Sequence, residues 1–203
     1  MSSPSIQIAE GLLSWANEKN PGSWMQHSQV SARAASQIAA HSGLNADTAY
    51  VLGLLHDIGR HAGVSAMRHI VDGYVLLADK GYTQAAQICI THSFPLQQFE
   101  AYSGVDDCSP EQRDLVKRIL QEAVYTEYDL LIQLCDALAL PAGVCLMEKR
   151  LIDVARRHGI NPFTIPKWNK VIEIFNAFQA KMDVPLYSLF PEAVQITFSE
   201  GLA

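Results

Sequence analysis

The sequence predicts an all-α fold, a compact helical bundle. Three observations predict it. Apolar residues recur at helical spacing along most of the 203 residues. Ser, Thr and Asn stand before these runs as caps, and Gly or Pro stands after them as stops. No run alternates apolar and polar residues between hairpin turns, and no segment repeats another.

Ile6 to Asn17, with Ile8, Leu12, Leu13 and Trp15, reads as the first helix, broken by Pro21-Gly22. Ser23 and Gln26 have capping-box spacing for a second, from Trp24 to about His41, with Gly43 as its stop. Asn45 caps a third that is expected to end at Gly59, placing His56 and Asp57 in its last turn. Ser65 opens a fourth, Ala66 to Lys80, stopped by Gly81. Thr83 to Thr91 reads as a fifth, ended by Phe94-Pro95. Gln97 to Cys108 is the least regular stretch. Ser109-Pro110-Glu111-Gln112 joins a cap, a proline at the first helical position and a glutamine at the third. Thr126 with Asp129 opens a helix running to Leu140. Val144 to His158 and Ile165 to Met182 are the last two helices, and residues 185–203 read as a short tail. Trp168, Phe175 and Phe178 fall at helical spacing and are assigned to the core.

Hydrophobic residues make up 49% of the chain, enough for one domain over residues 1–203, with a core of about 24–155 and a C-terminal helical extension over 160–203. The net charge of −6 argues against a nucleic-acid partner. It leaves room for a small phosphorylated substrate, because a metal supplies local positive charge. Cys89, Cys108, Cys135 and Cys145 form no CxxC pair, so neither a zinc knuckle nor a disulfide framework is indicated, and a reducing, cytoplasmic setting fits. No signal peptide and no membrane-spanning stretch is expected. The apolar face from Val171 to Phe178 serves either a core or a homodimer.

The chemistry concentrates at His56-Asp57, in Leu-Gly-Leu-Leu-His-Asp-Ile-Gly-Arg. An ionisable pair directly after an apolar stretch is costly to bury unless something compensates both side chains. A divalent metal does, since neutral imidazole and carboxylate are both good ligands. His27, His69, His92 and Asp136 are the further candidates, each on a different helix, as in bundles that direct ligands inward. Asp136 is the most telling, a carboxylate between Leu134, Cys135, Ala137 and Leu138. Arg60 is a candidate phosphate donor and His61 a candidate substrate contact, each set against an ordinary exposed role. Lys149-Arg150 either reaches a nucleotide phosphate or forms a solvated helix face. His41 and His158 stand at apparent helix ends, where capping roles suffice.

The order His27, His56-Asp57, Asp136 resembles the HD-domain superfamily of metal-dependent phosphohydrolases. The runs at 69–77 and 90–93 are similar to those carrying two extra histidines in its dinuclear subset. The resemblance covers Trp24 to about Ala155 and implies an HD-type bundle. It implies one metal held by His27, His56, Asp57 and Asp136, and a second held by His69, His92 and a bridging Asp57. Some dinuclear members have His-His where this chain has His92-Ser93, which implies an open or water-filled position at the second metal. The donor set suits iron or manganese best; magnesium, zinc, nickel and cobalt are compatible.

The implied reaction is hydrolysis of a phosphoester or phosphoanhydride by metal-activated water, with Asp57 and Asp136 orienting the water or taking its proton and Arg60 steadying a phosphoryl oxygen. The irregular stretch after His92 would form a wall or lid. The spacing of His69 and His92, and Pro141-Ala-Gly-Val, are similar to the small YqeK-type proteins, which hydrolyse diadenosine tetraphosphate. Nucleoside monophosphates and other nucleotides stay open; the GYP signature of cyclic-di-GMP enzymes is missing. A mixed-valent di-iron oxygenase with the same ligands and a non-catalytic nucleotide-binding protein are the competing readings.

Overall fold

A computed structural model describes residues 2–199. Ten α-helices appear among them: α1 (Ile6–Lys19), α2 (Trp24–Ser42), α3 (Ala46–Leu55), α4 (Arg68–Asp79), α5 (Thr83–Thr91), α6 (Pro110–Glu122), α7 (Glu127–Leu138), α8 (Met147–His158), α9 (Thr164–Gln179) and α10 (Ala193–Ser199). Short 3-10 turns cover Ile58–Ala62, Phe99–Ala101 and Leu186–Leu189. Two residue pairs, β1 (Ala139–Leu140) and β2 (Gly143–Val144), form a small antiparallel ribbon. The fold is all-α, as the sequence predicts.

Local chemistry explains most helix boundaries. The α6 and α7 starts are full capping boxes, Ser109 with Gln112 and Thr126 with Asp129. The Asn45 side chain accepts the Thr48 N–H at 2.8 Å to open α3. Gly43 ends α2 in the left-handed region at φ 79°, where a side chain would be strained. Ser23 departs from its expected role: its backbone is already helical and its side chain makes no cap, while the Trp24 indole N–H reaches back to the Asn20 carbonyl at 2.9 Å.

Several boundaries differ from expectation: α7 ends at Leu138, Ala139–Leu140 being extended rather than helical, and α9 ends at Gln179 rather than Met182. α3 stops at Leu55, so His56 and Asp57 lie in the corner between α3 and the Ile58–Ala62 turn. α8 begins at Met147, after the ribbon that Pro141 and Gly143 turn. The expected tail contains α10, although residues 200–203 lie outside the described residues. α8 lacks a side-chain cap of its own, and the chain end supplies two: the Thr197 hydroxyl accepts the Leu146 N–H at 2.8 Å and the Tyr187 hydroxyl accepts the Met147 N–H at 2.9 Å.

The main core gathers Leu13, Ile38, Leu52, Leu55, Leu131 and Leu134, with Val171, Ile174 and Phe178 of α9 closing over it. The apolar face of α9 therefore serves the chain's own core. A second cluster, including Met67, Ile70, Phe94, Val116 and Leu120, supports the irregular stretch. All four cysteines are buried thiols. Among the described residues no helix is long and apolar enough to cross a membrane.

Of the described glycines, Gly59 leaves the least room for a side chain. A Cβ there would collide with the His69 carbonyl oxygen and the Gly73 amide nitrogen, so the turn after His56-Asp57 rests directly on the backbone of α4. Two backbones cannot yield as a flexible side chain would. Gly59→Ala is expected to destabilise the protein by about 3 kcal/mol or more, read as a lower urea midpoint at unchanged slope. A midpoint within error of the native protein would show that this contact is slack.

Candidate metal centre

Four helix ends and one corner converge. His27 lies in the first turn of α2, His56 caps the C-terminus of α3, and Asp57 precedes the following 3-10 turn. His69 lies in the first turn of α4, His92 caps the end of α5, and Asp136 sits on α7. His27, His56, Asp57, His69 and His92 are all buried; Asp136 is partly exposed.

The ring orientations follow from backbone hydrogen bonds. Nδ1–H of His56 donates to Gly53 O at 2.7 Å, that of His92 to Ile88 O at 3.0 Å, and that of His69 to Ala66 O. Each bond leaves Nε2 as the free lone pair, the arrangement that orients a metal-ligating imidazole. Those nitrogens face other acceptors. His56 Nε2 lies 3.3 Å from His27 Nε2, and His69 Nε2 lies 3.1 Å from Asp57 Oδ1. His92 Nε2 is 3.8 Å from the same oxygen.

His69 Nε2 is buried without a hydrogen-bond partner and faces a carboxylate oxygen that also only accepts. Acceptors crowded in this way repel unless a cation lies among them. Two groups of converging donor atoms result, His27–His56–Asp57 and Asp57–His69–His92, with Asp57 in both. Asp136 joins the first through His27, its Oδ1 3.0 Å from Nε2. The residues fit a divalent ion at each group.

Burial, with His56 adding to it, pushes His92 down to about 3, and burial lowers His56 as well, so both stay neutral, the form that binds metal. Burial would raise Asp57, but Arg60, then His56 and His69, hold it well below the usual carboxylate range. Burial likewise opposes ionisation of Asp136, and His27 followed by Arg150 outweighs it.

Second contacts fix the ligands. Arg60 Nε donates to Asp57 Oδ2 at 2.8 Å, leaving Oδ1 toward His69 and His92. Asp129 is buried at 1% exposure and, besides capping α7, accepts from Thr91 Oγ1 at 2.6 Å and Gln87 Nε2 at 3.1 Å. Gln133 donates to the Thr91 carbonyl at 2.9 Å. These bonds hold the end of α5, and with it His92, against α7. The sequence signalled only the cap.

The clusters open into a cavity of about 580 Å³. Arg60 lines it. His61 does not: its Nδ1 meets Ile58 O at 3.0 Å and its ring packs 5.1 Å from Trp15, so the turn carries it away from the cavity. Lys149 and Arg150 line the cavity rather than forming a solvated face. Trp168 lines it too, instead of joining the core, and His158 faces it beyond its helix-end role. Tyr102 and Ser103 bring the irregular stretch to the wall, where it was expected. Trp24, Arg157 and Lys167 went unrecognised, since tryptophan and basic residues on amphipathic helices carry no distinctive spacing.

The HD domain matches residues 24–140. The chain belongs to the HD-domain family, whose members are generally metal-dependent phosphohydrolases. No curated protein and no solved structure matches the chain.

The neutral histidines have a consequence for stability. Unfolded His92 takes up a proton near 6.5 and the folded residue only near 3, so between those values the unfolded chain binds more protons. Stability of the chelator-treated protein is expected to rise with pH across that window and level off above it, measured as urea midpoints from pH 4 to 8. A midpoint that rises on acidification would contradict neutral burial of these rings.

Proposed function

We propose that the protein hydrolyses a phosphoester or phosphoanhydride bond of a nucleotide with the help of divalent metal. The observation that supports this most is the cavity. One side holds the His/Asp clusters; around it stand Arg60, Lys149, Arg150, Arg157 and Lys167. In a chain of net charge −6, that concentration of cations at one site suits an anionic substrate. Trp24 and Trp168 line the same space and suit a stacked base.

His27, His56, Asp57 and Asp136 would hold one ion, and His69, His92 and Asp57 a second, iron or manganese by donor type. A bound ion supplies an acidified water and neutralises charge on phosphoryl oxygens. Asp57 and Asp136, the latter the partly exposed carboxylate of the site, would orient the attacking water or take its proton. Arg60 orients Asp57 through Nε, and its remaining N–H groups donate to a phosphoryl oxygen. Diadenosine tetraphosphate, the substrate of the YqeK-type proteins, heads the list of candidates. Four buried thiols suit a reducing, cytoplasmic setting.

The same six residues suit a mixed-valent di-iron oxygenase; the basic wall is what favours phosphate. The deciding experiment is a phosphate-release screen across mononucleotides and dinucleoside polyphosphates with iron, manganese or magnesium, paired with elemental analysis. Release is expected with at least one nucleotide, and Asp57→Asn should lower it on the order of a thousandfold or more while reducing bound metal. Oxygen consumption without phosphate release would replace this reading with the oxygenase. Nucleotide binding without turnover would replace it with a binding protein.

A further inference from the structure

The cations of the cavity wall differ in what holds them. Arg60 is paired with Asp57. Arg150 and Arg157 share Asp153 at 3.2 and 2.9 Å, and Arg150 also lies 3.7 Å from Asp136. Lys149 donates to the Thr197 carbonyl at 2.9 Å. Lys167, on α9, hydrogen-bonds only neutral groups among the described residues: Nζ donates to the Ser93 carbonyl at 3.0 Å and to Ser103 Oγ at 3.1 Å.

An ammonium has three donors, and these two bonds use two of them. Burial pushes Lys167 down to about 8, and the Asp136 carboxylate opposes this only in part, although the amine stays protonated at neutral pH. Taking an ammonium out of water is unfavourable unless an anion pairs with it. The protein nonetheless holds it in place from two directions. Ser93 follows the candidate ligand His92, and Ser103 belongs to the irregular stretch, so both bonds anchor the amine in the cavity wall. Lys167 also lies outside the region shared with the HD-domain family, which ends at residue 140. A charged, pre-positioned amine with a donor to spare, in the cavity of the metal cluster, is suited to an oxyanion that arrives with the substrate.

We propose that Lys167 binds a second phosphate of the substrate, one not held at the metal centre, so that the cavity selects molecules carrying two or more phosphates. This rests on the phosphohydrolase reading and narrows its substrate class. α9 would then set specificity while the family domain supplies the chemistry.

The test compares two hydrolysis-resistant anions, methylenediphosphonate and methylphosphonate, by calorimetric titration of the manganese-loaded protein at fixed free manganese. The native protein should bind the diphosphonate at least about tenfold more tightly. Lys167→Met should abolish that preference, and Lys167→Arg should keep part of it. A purely structural lysine would shift both affinities together and leave their ratio unchanged. A native protein without the preference, or a Lys167→Met variant that keeps it, overturns the proposal and leaves the phosphohydrolase reading intact. If neither anion binds, both readings fail. Should the variant not fold, acylation of the native protein at pH 8 decides: the diphosphonate should protect Lys167 from labelling, as read by mass spectrometry, and the monophosphonate should not. Equal labelling with both would also overturn the proposal.

Discussion

The shared carboxylate of Asp57 is the constraint on which the site depends. One oxygen faces His69 and His92, the other takes Arg60, and the same side chain belongs with His27 and His56. A buried carboxylate in that position is tolerable only while positive charge surrounds it. Arg60 supplies part of that charge, and a divalent ion in each group of donors would supply the rest. The backbone carbonyls that fix Nδ1 of His56, His69 and His92 matter for the same reason: they aim lone pairs inward, where only a cation relieves the crowding.

The fold can be read as the means of holding that arrangement. Asp57 sits in a tight corner because α3 ends at Leu55 and the chain passes at once into a 3-10 turn. Gly59 lets that turn lie on the backbone of α4 beside His69. Asp129, Thr91 and Gln133 pin the end of α5 to α7, so His92 and Asp136 are held by the same contact. The C-terminal helices complete the site. Tyr187 and Thr197 cap α8, which carries Arg150 and Arg157, and α9 brings Lys167 and Trp168 to the cavity.

Much of this was legible in the residues, and for physical reasons. Helix starts such as Ser109 and Thr126 are local, so their capping boxes are written in four consecutive residues. His56-Asp57 and Asp136 stood out because charge in an apolar run demands a partner. The misses were tertiary. No local rule places His61: the direction of the 3-10 turn sends it to Trp15. Lys167 and Trp168 have the periodicity of any amphipathic helix, and their place in the wall depends on how α9 packs on α7. Asp129 announced its cap but not its bonds to Thr91 and Gln87, which come from a different helix. Ser23 had the right spacing for a cap, yet its backbone continues the helix.

If Asp57 joins two ions, electron paramagnetic resonance of the metal-free protein titrated with manganese should show it: two equivalents should bind, and the spectrum should become that of an exchange-coupled pair. A single bound equivalent, or two that keep the six-line signal of isolated manganese, would contradict it.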